Sequence, residues 1–436
     1  MKKALSLVLS AFMAAAVFTG CGDNANKDGQ SQSTATGTLS GDMEIMHYMS
    51  GDGKLNAWDD FMNAFMEKHP DVTIESSGTD YSNFLTLLRT KAASSDMPDF
   101  WEATPMKVSD IIEAGKAMDL KAAGVIDELP LGEDVFAECV WGDGDEIWGA
   151  PYTLKSFALF YNQDLFDKHN VDVPTTQSEF LEACQKFSDA GIDPFIRANS
   201  DYTHLYVDLK TELVPRLQAS GNGDYYAKLM SGEKKFADYD EFRISVDNML
   251  TRYQWERLDD LSNDGTAAAE KFANGEAAMF VGMQSVVSQS FSTNPDFNLH
   301  CVPYPYSDDQ TENHKIVVEM EDGWMISADT DIPEVCIEWL KYLYETPQAQ
   351  RWSDDVGMIM VQSGLDTSKQ YDYVQELTEC YSNGKSAQNC IPQPIGEFVQ
   401  KWRSYLQAWI ADPNRSTDML ITEGQGVYDE IIASQN

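Results

Sequence analysis

Two hydrophobic periods alternate in the first third of the chain. Glu44 to Met49 and Val72-Thr73-Ile74 read as strands, whereas Leu55, Trp58, Phe61, Met62, Phe65 and Met66 recur at intervals of three and four and predict an amphipathic helix over 55–68. His69-Pro70-Asp71 ends that helix, because proline lacks the amide a further turn would need. Tyr81 to Ala93 and Val108 to Ala114 repeat the helical pattern, with Pro98-Asp99-Phe100-Trp101 extended between them. Strands that alternate with helices imply parallel pairing through crossover units. From Pro174 onward the pattern is mostly helical, over 176–189, 202–219, 224–230, 240–253 and 267–274, and again over 333–344, 347–354, 371–381 and 395–410. Short β segments interrupt it at 277–282 and 298–303, so the whole predicts an α/β protein of two lobes.

The amino terminus follows neither period. Met1-Lys2-Lys3 is positive, Ala4 to Val17 is an uncharged apolar run too short to span a bilayer comfortably, and Phe18-Thr19-Gly20 leads to Cys21. This is the layout of a secretory signal over residues 1–20 whose removal leaves Cys21 first. The lipobox that the segment resembles implies acylation of Cys21 and attachment to the outer face of a bacterial membrane. Residues 22–40 are almost wholly polar and predict a flexible tether, so 21–40 is expected to be anchor plus spacer.

Charge narrows the partners. The formal net charge is −40, and becomes −42 once the two lysines of residues 1–20 are removed. Nucleic acid and anionic lipid reward positive surfaces and are excluded as main partners. About four hundred residues exceed a single core, which again favours two lobes. Cys139, Cys184, Cys301, Cys336, Cys380 and Cys390 contain no CxxC pair, and His47, His69, His169, His204, His300 and His314 show no ligand-like spacing, so no metal or cofactor is expected. Only Cys380 and Cys390 are close enough in sequence to suggest a local disulfide. The acidic run between Trp141 and Trp148 reads as a hairpin turn, since Ile147 and Trp148 stand where a calcium loop needs oxygen ligands.

Four separated motifs carry a further reading. Phe65-Met66-Glu67-Lys68-His69-Pro70-Asp71-Val72 is followed by Pro98-Asp99-Phe100. Trp148-Gly149-Ala150-Pro151-Tyr152 leads to Leu159-Phe160-Tyr161-Asn162-Gln163-Asp164-Leu165-Phe166. Phe272-Ala273-Asn274-Gly275-Glu276-Ala277-Ala278-Met279 leads to Gly282, and Gly323-Trp324-Met325-Ile326-Ser327 to a helix with Trp339 and Leu340. In this order they resemble the extracellular solute-binding proteins of ABC importers, in the family that contains maltose- and multiple-sugar-binding proteins. The resemblance implies a two-lobed periplasmic-binding-protein fold of type II with crossings near 151–156, 319–325 and 353–362. One lobe would comprise residues 41–152 plus 325–354 and the other 153–324 plus 355–436. It further implies a monomer that captures a sugar or oligosaccharide between its lobes and delivers it to membrane permease subunits.

Sugar hydroxyls call for carboxylates, amides and basic groups, and sugar C–H faces for aromatic rings. Carried over from the family by position, ligand contacts are expected from Asp52 in the first loop, Tyr81, and Trp101 with Glu102 after Pro98-Asp99. They are also expected from Tyr152 and Lys155 at the first crossing, Tyr202 and His204, Gln284, Asp322 and Trp324 at the second crossing, and Phe398. Gln284 and Lys155 stand where the maltose-binding branch carries an aromatic and an acid, which points away from maltose toward a differently hydroxylated or partly acidic glycan. A surface-tethered glycoside hydrolase is the alternative from another class, and a peptide or polyamine an alternative cargo. Asp59-Asp60 and Asp308-Asp309 read as solvated charges, and GxSxG, HExxH, P-loop and GxGxxG motifs are missing, so a non-enzymatic receptor is expected.

Overall fold

The computed structural model describes residues 38–49, 52–141, 144–200, 202–255, 260–309, 312, 315–390 and 397–435. The signal segment, Cys21 and most of the tether therefore lie outside the described residues. The expected first strand is β1 (Gly41–His47), followed by helix α1 (Asp52–Lys68), β2 (Val72–Gly78), helix α2 (Tyr81–Ser94) and β3 (Phe100–Glu102). β1 pairs in parallel with both β2 and β3, as the alternating periods require. Asp80 caps α2, its carboxylate accepting the Asn83 amide at 3.1 Å.

The long strand β4 (Ala150–Asn162) is buried along nearly its whole length, which explains why it carries no alternation of polar and apolar residues. β5 (Asp193–Ile196), β6 (Ala277–Met283), β7 (Leu299–Val302), β8 (Ile316–Ile326), β9 (Ile359–Met360) and β10 (Ser386–Gln388) complete the sheet. Its path is β2-β1-β3-β8-β4-β6-β5, with β10 on β8 and β7 and β9 on β4. Thus a parallel β2-β1-β3 group and a parallel β6-β5 group are joined through the antiparallel pair β8 and β4. The register of that pair shifts twice between Pro151 and Leu154, where the ladder is irregular.

Between residues 140 and 147 an antiparallel bridge agrees with the expected hairpin. A helix over Thr417–Gln435, which the hydrophobic pattern did not announce, packs beside the helix Glu397–Ala411. Charge is buried in the helical part as well: Arg252 reaches Asp208 at 2.8 Å and Glu212 at 2.9 Å. All six described cysteines are free; Cys380 and Cys390 pack against different hydrophobic clusters, which leaves the local disulfide unformed. Among the described residues no helix is long and apolar enough to cross a membrane, and no cluster of metal-ligating side chains occurs.

Candidate binding cleft

The carboxyl ends of β1 and β2, together with the turn that follows β3, open onto a cleft of about 840 Å³. Such strand ends are where open parallel sheets leave room for ligands. His47, Tyr48 and Met49 come from the end of β1, Gly78, Thr79 and Asp80 from the end of β2, and Lys107 from the turn Pro105–Val108. The floor is different in kind: Lys155 and Glu321 belong to β4 and β8 themselves.

Each wall has an identifiable support. The Tyr48 ring lies edge-on to Phe84 at 5.2 Å, with the Lys107 ammonium 5.9 Å from its centre. Its backbone amide donates to Glu102 Oε2 at 2.9 Å, so the fully buried Glu102 holds the first loop in place. Gly78 faces the His47 ring; a Cβ at position 78 would stand 2.5 Å from His47 Cε1, which only glycine avoids. Burial lowers the His47 pKa against the opposing pull of Asp59, so the imidazole is neutral at pH 7.

In the floor, Lys155 Nζ lies 2.7 Å from Glu319 and 3.1 Å from Glu321. Burial alone would lower the Lys155 pKa, but these two carboxylates raise it. Glu319 also accepts from Lys210 and, at 2.7 Å, from Asn389. Burial opposes ionisation of Glu319, yet Lys155 and Lys210 outweigh it and hold the carboxyl at about 2. Lys107 is pushed below its ordinary value by burial and then by Lys155. A surface of paired charges, one aromatic ring and a neutral imidazole suits a polyhydroxylated, uncharged solute.

The structure redistributes the residues expected from sequence. Lys155 lines the cleft, and Glu102 supports it from behind. Trp101, Tyr152 and Trp324 are fully buried packing residues, which corrects their assignment to ligand contact. Trp101 packs among Met46, Phe84 and Met325. Trp324 stacks on Trp58 with ring centres 4.6 Å apart, and the Tyr152 hydroxyl donates to the Leu343 carbonyl at 3.0 Å. Gln284 is also fully buried, accepting from Ser156 at 2.9 Å and donating to the Gly357 carbonyl at 2.8 Å, so it ties segments together instead of facing solute. Asp52, Tyr81, Tyr202, His204, Asp322 and Phe398 lie on described helices or strands, but their side chains fall outside the described part. Sequence reasoning missed His47, Tyr48, Lys107 and Glu321; their signal was position at or just beyond strand ends, beside Lys155 on the crossing pair.

Residues 52–350 match the family described as bacterial extracellular solute-binding protein. An uncharacterized ABC transporter extracellular-binding protein of Pyrococcus horikoshii is 22% identical, over 85% of this chain and 84% of its own. The melibiose/raffinose/stachyose-binding protein MelE of Bacillus subtilis is 20% identical, over 100% of this chain and 94% of its own. Among solved structures, apo RafE of Streptococcus pneumoniae superposes with a TM-score of 0.74 at 16% identity, covering 91% of this chain and 97% of that one. The cleft at the strand ends and its crossing floor therefore sit within a two-lobed fold of known type, and the chain belongs to the bacterial extracellular solute-binding protein family.

Proposed function

We propose that this protein is the solute-capturing component of an ABC importer and that its cargo is a neutral sugar, most simply an α-galactoside of the melibiose, raffinose and stachyose class. The observation that carries the reading is the cleft itself: about 840 Å³, within the ~300–1,000 Å³ usual for small-molecule sites, with Tyr48 beside a Lys155–Glu321 pair. The name of MelE and its full-length match support the sugar class. In this reading residues 41–152 plus 325–354 and residues 153–324 plus 355–436 close on the sugar as two lobes, and the closed form docks on permease subunits. Cys21, acylated after signal removal, keeps the monomer at the outer membrane face, and a mass measurement of the mature amino terminus checks that anchor.

The floor chemistry supports a non-catalytic role, because Glu319 and Glu321 are both engaged by lysine. A glycosidase needs one carboxyl free to donate a proton and another free to attack or to activate water. Calorimetric titration with raffinose, stachyose and melibiose, followed by chromatography of the sugars, tests both points. Saturable binding with intact sugar is expected; release of monosaccharide with turnover would defeat the receptor reading, and absence of binding to all three would defeat the sugar class.

A further inference from the structure

Behind the cleft floor lies a charged cluster whose numbers do not balance. Lys155 on β4 and Lys210 in the helix Tyr202–Ala219 face Glu319 and Glu321 on β8 and Glu138 in the turn Glu133–Cys139. Three carboxyls thus meet two ammonium groups. Adding Lys107 on the neighbouring turn, together with Glu102, leaves the excess unchanged at one acid. Lys210 and Glu319 are buried and Lys155, Glu138 and Glu321 half-buried, and charge without a partner in so confined a group is unfavourable, so one of these carboxyls is expected to be uncharged.

Geometry decides which. Glu319 is held by both lysines, Glu321 by Lys155, and Glu102 faces the charge on Lys107. Glu138 forms no ion pair among the described residues. One of its oxygens, Oε1, accepts both the Met320 amide at 2.8 Å and the Gln388 side chain, which leaves Oε2 to carry a proton. The groups that face it are Glu319, Lys155 and Lys210, with Cys139 adjacent on its own turn.

We propose that Glu138 is a positioning residue of the cleft and carries a proton in the form that binds solute. Uncharged, it leaves Glu319 to hold Lys155 at the floor; ionised, it repels Glu319 and competes with it for Lys155 and Lys210. Its acidity agrees with this, since burial and then the charge on Glu319 push the carboxyl up to about 7. The proposal rests on the reading of the cleft as the sugar site, and it makes solute affinity depend on a residue that never touches solute.

The test uses the full chain and two readouts. Affinity for raffinose and stachyose is measured by calorimetry from about pH 6 to about pH 8.5, where one linked proton allows at most ~10-fold change per pH unit. The native protein is expected to lose roughly three- to tenfold in affinity across the alkaline half of that range. Glu138→Gln, which keeps an acceptor for the Met320 amide, is expected to retain the acid-side affinity throughout. Thermal unfolding without sugar is followed from about pH 5 to about pH 8.5: with the folded pKa raised to about 7, the native midpoint should fall with rising pH more steeply than that of Glu138→Gln up to about pH 7, and the extra slope should vanish above it. Parallel profiles for the two proteins in both assays would overturn the proposal. If neither sugar binds at any pH, the sugar reading fails, and the difference between the two unfolding profiles still decides whether Glu138 carries the proton.

Discussion

Removing the indole of Trp324 separates a packing role from a ligand role. The side chain is fully buried, stacked on Trp58 at 4.6 Å and lying 5.4 Å from Phe100 and 6.4 Å from Tyr152. Trp324→Ala takes away roughly 150 Å² of buried apolar surface, which at about 25 cal/mol per Å² is ~4 kcal/mol. Lost ring stacking adds ~1 kcal/mol, and partial collapse of the cavity offsets a similar amount. The expected loss is therefore ~3–5 kcal/mol, the usual cost of Trp-to-Ala changes in cores. Trp324→Phe should cost far less, because the indole N–H has no hydrogen-bond partner among the described residues and the ring face is kept. Equilibrium urea unfolding of both variants provides the measurement, with raffinose affinity determined on the folded fraction. A Trp324→Ala protein within ~1 kcal/mol of the native stability but without sugar affinity would refute the packing argument and return Trp324 to the cleft.

Other perturbations address the cleft. Tyr48→Ala should weaken raffinose binding by about 1–2 kcal/mol, roughly five- to thirtyfold, with little change in melting temperature, because the backbone bond from residue 48 to Glu102 remains. Gly78→Ala forces the His47 ring to move and should cost ~1–3 kcal/mol of stability as well as affinity, read by thermal unfolding and calorimetry. His47 has a folded pKa below its unfolded value, so its contribution to stability is present above about pH 6.5 and is lost as the pH falls below that; His47→Asn should flatten the acid side of the melting-temperature profile. Ellman titration of the native fold should find the buried Cys139, Cys184, Cys301 and Cys336 unreactive, with slow modification confined to the half-buried Cys380 and Cys390; a fast stoichiometric reaction of all six would contradict the packing described.

Local pattern made much of this architecture legible. α1 and α2 declared themselves through three- and four-residue spacing, and β1 to β3 through their position between helices. The long crossing strand was visible only through its motif, since Ala150–Asn162 is covered on both faces and a uniformly apolar run carries no period. The terminal helix Thr417–Gln435 contains Gly424 and Gly426, which weaken a helical pattern; Gly424 is a contact site, where a Cβ would stand 3.1 Å from the Trp402 ring. Aromatic residues misled for a related reason. A tryptophan that ends in a core and one that stacks on a sugar look alike in sequence, and only the covering layer, here Trp58 and Phe100 over Trp324, tells them apart. Lys155 was recoverable only through the family resemblance, which placed a ligand contact at the first crossing.

The cleft draws its rim from loops and its floor from paired strands, and these two parts can change at very different rates. Residues such as Tyr48, Thr79 and Lys107 stand at or beyond strand ends and can be exchanged without breaking a sheet hydrogen bond. Lys155 and Glu321 are tied to each other, and Lys155 also to Glu319, so exchange of either breaks an ion pair of the floor. A change of cargo is therefore accessible by rewriting the rim, while the floor is held in place by its ion pairs.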